Sequence, residues 1–189
     1  MAIFLTADLH LGHEKVSGLR GFNSVLEHDL HIISMWNHTV LPNDIVYVLG
    51  DVLMGDRDRG RRLLKQLHGT LHLILGNHDR PAPNNKNGHL HQDSMGTVWA
   101  SMSTIAEISH QGTAWIMSHY PYSGDHSSEE RFDQWRPRDL GKPLFHGHTH
   151  SSEKLSVSSY GSPQVHVGLD AWGLKPVSLG TAAALYSTK

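Results

Sequence analysis

The chain has no cysteine, so neither a disulfide nor a thiolate metal site is open to it. It has no run of 18 apolar residues, which argues against a membrane-spanning helix. No signal peptide is recognisable, because Met1-Ala2-Ile3-Phe4-Leu5 leads directly into a strand that meets Asp8. A cytoplasmic protein with no membrane contact is the expectation. Charge of one sign is also lacking: 16 Lys and Arg against 18 Asp and Glu leave a formal net charge of −2, and no global field favours nucleic acid. Repeats, low-complexity tracts and linkers are missing, so the 189 residues predict a single domain over residues 1–189. What is abundant is histidine. Its 17 copies nearly match the 18 acidic residues, an excess that asks for metal or acid–base chemistry.

The first half alternates between two hydrophobic periods. Short apolar runs at 3–7, 45–49 and 71–75 read as buried strands. Between them, residues 24–40 predict a helix that opens on a Ser24/Glu27 capping box, with Leu26, Leu30, Ile33, Trp36 and Val40 inward. Residues 60–67 predict a short basic helix with Leu63, Leu64 and Leu67 inward, and the row Arg57, Arg59, Arg61 and Arg62 reads as a solvated face. Strand, helix, strand, helix, strand implies a parallel sheet with right-handed crossovers. Residues 80–96 read as a polar surface loop, 103–108 and 113–117 as a hairpin, 165–169 as a strand and 179–186 as a last, weakly patterned element. The loop at 122–142 is too long for a mere connection, and such loops are often functional.

Five of these strand ends carry polar residues of one kind: Asp8 and His10, Asp51, Asn77 with His78 and Asp79, His119, and His148 with His150. Asp8 and His10, two apart, point to one side if the chain is extended there. Gathered at one sheet edge, such charges repel unless cations neutralise them. Imidazole, carboxylate and amide oxygens suit Mn, Fe, Zn, Co or Ni. The number of ligands fits two metals sharing a bridging Asp.

These blocks, Asp8-x-His10, Gly50-Asp51, Gly76-Asn77-His78-Asp79, His119 and Gly147-His148-x-His150, resemble in order the five-block signature of the calcineurin-like metallophosphoesterase superfamily, in its small bacterial and phage form. The resemblance implies a four-layer α/β/β/α sandwich with two mixed β-sheets. It implies two divalent transition-metal ions, manganese first among them. Asp8, His10 and His150 would hold one and Asn77, His119 and His148 the other, with Asp51 bridging. A hydroxide between the metals would attack phosphorus while His78 protonates the leaving oxygen as general acid, oriented by Asp79. His146 is expected to give outer hydrogen bonding. His13 either touches substrate or caps a turn; Arg20 and Arg80 either hold a phosphate or pair at the surface. Asp170 and Trp172 read as fold determinants. The implied partner is a phosphate ester, a small nucleotide (2′,3′-cyclic nucleotides included) ahead of polymeric DNA or RNA or a phosphomonoester, and a non-catalytic scaffold comes last.

Overall fold

The three apolar runs become the parallel heart of a sheet. In the computed structural model, which describes residues 1–127 and 129–187, they are β1 (Ile3–Thr6), β2 (Ile45–Val48) and β3 (Thr70–Ile74), with Leu5 opposite Tyr47 and Tyr47 opposite His72. Ser128, within the expected loop at 122–142, lies outside the described residues, as do the last two residues. β4 (Trp99–Ser103) runs parallel beside β3, and β10 (Val177–Ser178) closes the other edge antiparallel to β1. The second sheet starts with a hairpin, β5 (Ile105–His110) and β6 (Thr113–Ser118), turning at Gln111 and Gly112. β7 (Leu144–His146), β8 (Leu155–Val157) and β9 (Pro163–His166) complete it in the order β5-β6-β7-β9-β8. β6, β7 and β9 are parallel, so both sheets are mixed. This is the α/β/β/α sandwich expected.

Four helices flank the sheets: α1 (Glu14–Leu19), α2 (Val25–Thr39), α3 (Arg57–Leu64) and α4 (Leu179–Ser187). Ile32, Ile33 and Trp36 of α2 and Leu63 and Leu64 of α3 pack with Val46, Val48, Leu71 and Leu73 of the first sheet. The other core lies between the sheets. There Leu5, Leu49 and Ile74 meet Met117, Val165 and the stacked rings of Trp115 and Phe145, joined by Ala182 and Ala183 of α4. None of the helices described is long and apolar enough to cross a membrane.

Two expectations need correcting. Leu26 and Leu30 do not face inward; they are 56% and 50% exposed, while His28 and Asp29 are fully buried. The helix is turned by polar anchors: both Asp29 carboxylate oxygens accept from the Gly12 N–H at 3.1 Å, and one lies 2.8 Å from Arg59. Helix α3 also starts earlier than residue 60, because the Asp56 carboxylate accepts from the Arg59 N–H and caps it there. The cap at Ser24 is as read, its hydroxyl accepting from the Glu27 N–H at 3.1 Å.

The loops leaving β1, β2, β3, β6 and β7 emerge on one edge and are laced together. Asp8 N–H donates to Gly50 O (3.0 Å), His10 N–H to Asp51 O (2.9 Å) and Gly147 N–H to His119 O (3.0 Å). The two sheets therefore offer one continuous rim, the usual place for ligands in open α/β structures.

Candidate metal centre

Nine described non-glycine residues have a positive φ, and five of them are candidate ligands: Asp8 (59°), His10 (49°), Asp51 (56°), His148 (70°) and His150 (50°). Left-handed backbone costs on the order of 1–3 kcal/mol at such a residue, and it persists where surrounding structure dictates it. Asp8 and His10 thus do not converge through extended chain. β1 ends at Thr6, and left-handed turns bring both side chains to the rim. Glycine is required at Gly76, where a Cβ would sit 2.3 Å from Asp51 Oδ1 and 2.9 Å from His119 Nδ1.

On one side of the rim, His10 Nε2 and His150 Nε2 stand 3.1 Å apart, and ligand atoms of Asp8, His10 and His150 lie within 4.8 Å of one another. His150 Nδ1 is 2.9 Å from Asp170 Oδ2 and donates to it, so the Nε2 lone pair points at His10. Burial works against charge on His150, but Asp170 and Asp8 outweigh it and hold its pKa above the ordinary value. Burial holds that of His10 well below. For Asp8, burial is outweighed by His166, His150 and His119, and its carboxyl stays well below the usual range.

On the other side, Asn77 Oδ1 lies 3.0 Å from both His119 Nε2 and His148 Nδ1. His119 Nδ1 donates to Leu49 O at 2.8 Å, which turns its Nε2 toward Asn77 Oδ1 and toward Asp51 Oδ2 at 3.5 Å. Asp51 stands between the two groups, its Oδ2 also 3.9 Å from His10 Nε2. Burial, with Asp79 and Asp8 nearby, pushes its carboxyl up to about 7 despite His119. Burial and the charge of His119 push His148 down to about 3. Burial opposes a charge on His119, yet Asp51 and Asp8 keep its pKa above the ordinary value. Seven acceptor groups thus crowd one rim with few protons to share. The donor set is oxygen and imidazole nitrogen, the chemistry of a divalent transition metal, and Asp8, His10 and His150 form one group close enough to hold a cation while Asp8, Asp51 and His119 form another.

His78 is exposed beside this rim, its ring centroid 5.7 Å from that of His10 and its backbone N–H donating to Asp51 Oδ1 at 2.9 Å. Asp79 is not engaged with it. Its buried carboxylate accepts from the backbone N–H groups of Asp51 (3.0 Å), Val52 (3.0 Å) and Gly76 (2.8 Å), and so ties the loop after β2 to the loop after β3. The expected Asp79–His78 pair is corrected on that ground: three buried N–H groups hold the acid and leave it turned inward.

Of the two roles weighed for Arg20, the structure shows the pair with an acid, Asp170, and not the phosphate site. Its five N–H bonds are all engaged: Nε and Nη2 with Asp170 (2.8 and 2.9 Å), Nη2 with Asp8 O (2.8 Å), and Nη1 with Leu9 O (3.2 Å) and His28 Nε2 (3.1 Å). None remains for a phosphate. Of the two roles weighed for His13 the structure shows the cap, its Nδ1 accepting from Val16 N–H at the start of α1, while its ring lies 5.3 Å from that of His10. His146, buried and pushed down to about 3 by burial and by His166, donates to Gly147 O (2.8 Å) and reaches no candidate ligand side chain. Arg80 is exposed and lines a recess with Asn77 and His78.

Two residues with a part in the site went unread. Asp170 reads in the sequence as a fold determinant, and in the structure it joins Arg20 to His150. Asp125, in the long loop, places Oδ2 3.3 Å from His148 Nε2, with its side chain enclosed by Arg131 and Arg136. The loop's length was the only signal in the sequence that could have pointed to Asp125.

No family model matches the chain. The chain is 40% identical over 181 residues to the gene 66 protein of Mycobacterium phage L5, covering 90% of this chain and 87% of that protein. It is 41% identical over 179 residues to the gene 66 protein of Mycobacterium phage D29, covering 90% and 88%. The crystal structure of a protein of unknown function from Aquifex aeolicus superposes with a TM-score of 0.70 at 21% identity, over 97% of this chain and 98% of that one, a likeness of fold. The chain belongs to the family of these phage gene 66 proteins.

Proposed function

We propose that the chain is a metal-dependent phosphoesterase that hydrolyses phosphodiesters of small nucleotides at a centre of two metals. The observation that carries this reading is the convergence of acceptors: His10 and His150 meet nitrogen to nitrogen at 3.1 Å, and Asn77 Oδ1 faces two imidazoles at 3.0 Å, with Asp51 between the pairs. Asp8, His10 and His150 would hold one cation, Asn77, His119 and His148 the other, and Asp51 both. Manganese suits this donor set, as do Fe, Zn, Co and Ni. Bound there, the cations supply an activated water and neutralise charge on the phosphate oxygens.

The chain's own groups do the rest. His78, exposed at the rim and anchored through its N–H to Asp51, protonates the leaving oxygen. Burial and the neighbouring His119 and His13 lower its pKa, so less of it carries the proton near neutral pH and the reaction should slow as pH rises. Asp79 holds the loops that present Asp51 and Asn77 in register. Asp170 orients His150, the carboxylate–imidazole arrangement that fixes a metal-binding tautomer. A proton donor beside the leaving oxygen serves an alkoxide leaving group, which both ester classes can present.

The test is a substrate panel. Chelator-treated protein, resupplied with Mn²⁺, should cleave bis-p-nitrophenyl phosphate and 2′,3′-cyclic AMP faster than p-nitrophenyl phosphate. If all three stay intact the reading is wrong, and faster cleavage of the monoester would make the chain a phosphomonoesterase.

A further inference from the structure

The recess shared by Arg80, Asn77 and His78 carries more positive charge than a metal centre calls for. It measures about 480 Å³, and Arg57, Arg80 and Lys86 line it with no acidic residue among its walls. Among the described residues, none of these three cationic groups forms an ion pair or side-chain hydrogen bond. Arg59 and Arg61 of the arginine row are occupied, Arg59 with buried Asp29 at 2.8 Å and Arg61 with Asp58 and Ser94 O, whereas Arg62 lies outside the recess. The cations gather here although the chain as a whole carries a net −2.

The wall bearing Lys86 is hung on the motif itself. Asn84 and Asn85 Nδ2 donate to Asn77 O (3.1 and 3.3 Å), and Asn85 Nδ2 also donates to Asp79 O (2.8 Å). Successive turns then run from Asp79 to His91, with Ala82 N–H on Asp79 O, Asn85 N–H on Ala82 O, and Gly88 N–H on Asn85 O. The loop read as plain surface is thus fixed against His78, on the side where the leaving group departs.

We propose that this recess binds a phosphate borne by the leaving group, so that the preferred substrate is a phosphodiester whose departing nucleoside carries a second phosphate. The inference rests on the phosphodiesterase reading with His78 at the leaving oxygen. A 2′,3′-cyclic nucleotide or a bare dinucleoside leaves Arg57, Arg80 and Lys86 unmet. A polymer would call for stacking groups, and no Trp, Tyr or Phe lines the recess. The ligand is therefore a short, terminally phosphorylated nucleotide.

The experiment compares a thymidine dinucleotide with the same dinucleotide carrying a 5′- or a 3′-terminal phosphate, on the Mn²⁺-supplied protein. One phosphorylated form should exceed the bare dinucleotide in kcat/KM by about tenfold or more, the factor that a single charge-assisted hydrogen bond supplies. In the double variant Arg57→Gln/Lys86→Gln that ratio should fall to about one. The advantage should also shrink with added salt. Calorimetry on the metal-free protein gives a second readout, with thymidine 5′- or 3′-phosphate binding about tenfold more weakly to the double variant. If bis-p-nitrophenyl phosphate is cleaved but the three dinucleotides are equal, or the ratio survives in the double variant, this inference falls alone. If bis-p-nitrophenyl phosphate is not cleaved, the phosphoesterase reading falls and takes it along.

Discussion

Asn77 and His78 are adjacent in the chain, and substitution should separate their work. Asn77 Oδ1 sits between His119 and His148, whereas the His78 ring stands outside that group. Asn77→Ala should reduce bound Mn²⁺ toward one equivalent. His78→Ala should keep the metal and lose roughly 10²- to 10⁴-fold in kcat on diesters, the usual contribution of a general acid. Equal metal loss in both variants would contradict the roles given them. Asp170→Asn should weaken metal binding on the His10/His150 side by about 10- to 100-fold, because it frees both His150 and Arg20. Unchanged metal affinity would leave Asp170 with a structural part only. At this scale the sequence was informative about type and poor about partners. Asp8, His10, Asp51, Asn77, His119, His148 and His150 could be picked out by chemistry and order. The partner of Asp79 could not, since its three N–H donors are backbone groups that any residue provides.

Elements position these residues by means that periodicity only partly reveals. The apolar strands and the Ser24 cap were legible because local rules govern them. The face of α2 was not: its buried His28 and Asp29 are held by Gly12, Arg20 and Arg59, contacts from other elements. The loop at 122–142 could be seen as functional by length, while Asp125 reaches His148 only through its folding. That loop is pinned at its far end by Asp139, whose carboxylate accepts from the hydroxyls of Ser158 and Ser162 beside β8 and β9. Burial raises the Asp139 pKa, but these hydroxyls and the Gly141 N–H outweigh it and leave it below the ordinary value. A depressed carboxylate stabilises the fold fully above its unfolded pKa of about 3.9 and loses that contribution as pH falls through the folded value. Asp139→Asn should thus lower stability between pH 5 and 8 by an amount that solvent screening keeps below about 1 kcal/mol, with the difference in Tm from the parent chain narrowing below pH 4. A gap that stayed constant down to pH 2 would contradict the assignment.

At the scale of the whole molecule, the parallel first sheet followed from alternating periods, whereas the second sheet was expected only from family resemblance. Not every strand was legible even so: β4 at the edge of the first sheet and β8 at the edge of the second are the examples. Ala100, Ser101 and Ser103 of β4 and Ser156 and Val157 of β8 are polar, small or exposed, so no apolar run announces either strand. Sheet pairing, not local preference, makes them strands. The sandwich sets the carboxyl edges of two sheets side by side, and left-handed turns at five ligands finish the convergence. The central claim is that this rim is a two-metal centre on which hydrolysis depends. It is tested most directly by measuring bound Mn²⁺ per chain and the rate on bis-p-nitrophenyl phosphate in the same samples across a metal titration. The account predicts two equivalents at saturation, with the rate rising as the second binds; full activity in chelated protein, or two equivalents bound with no hydrolysis, would contradict it.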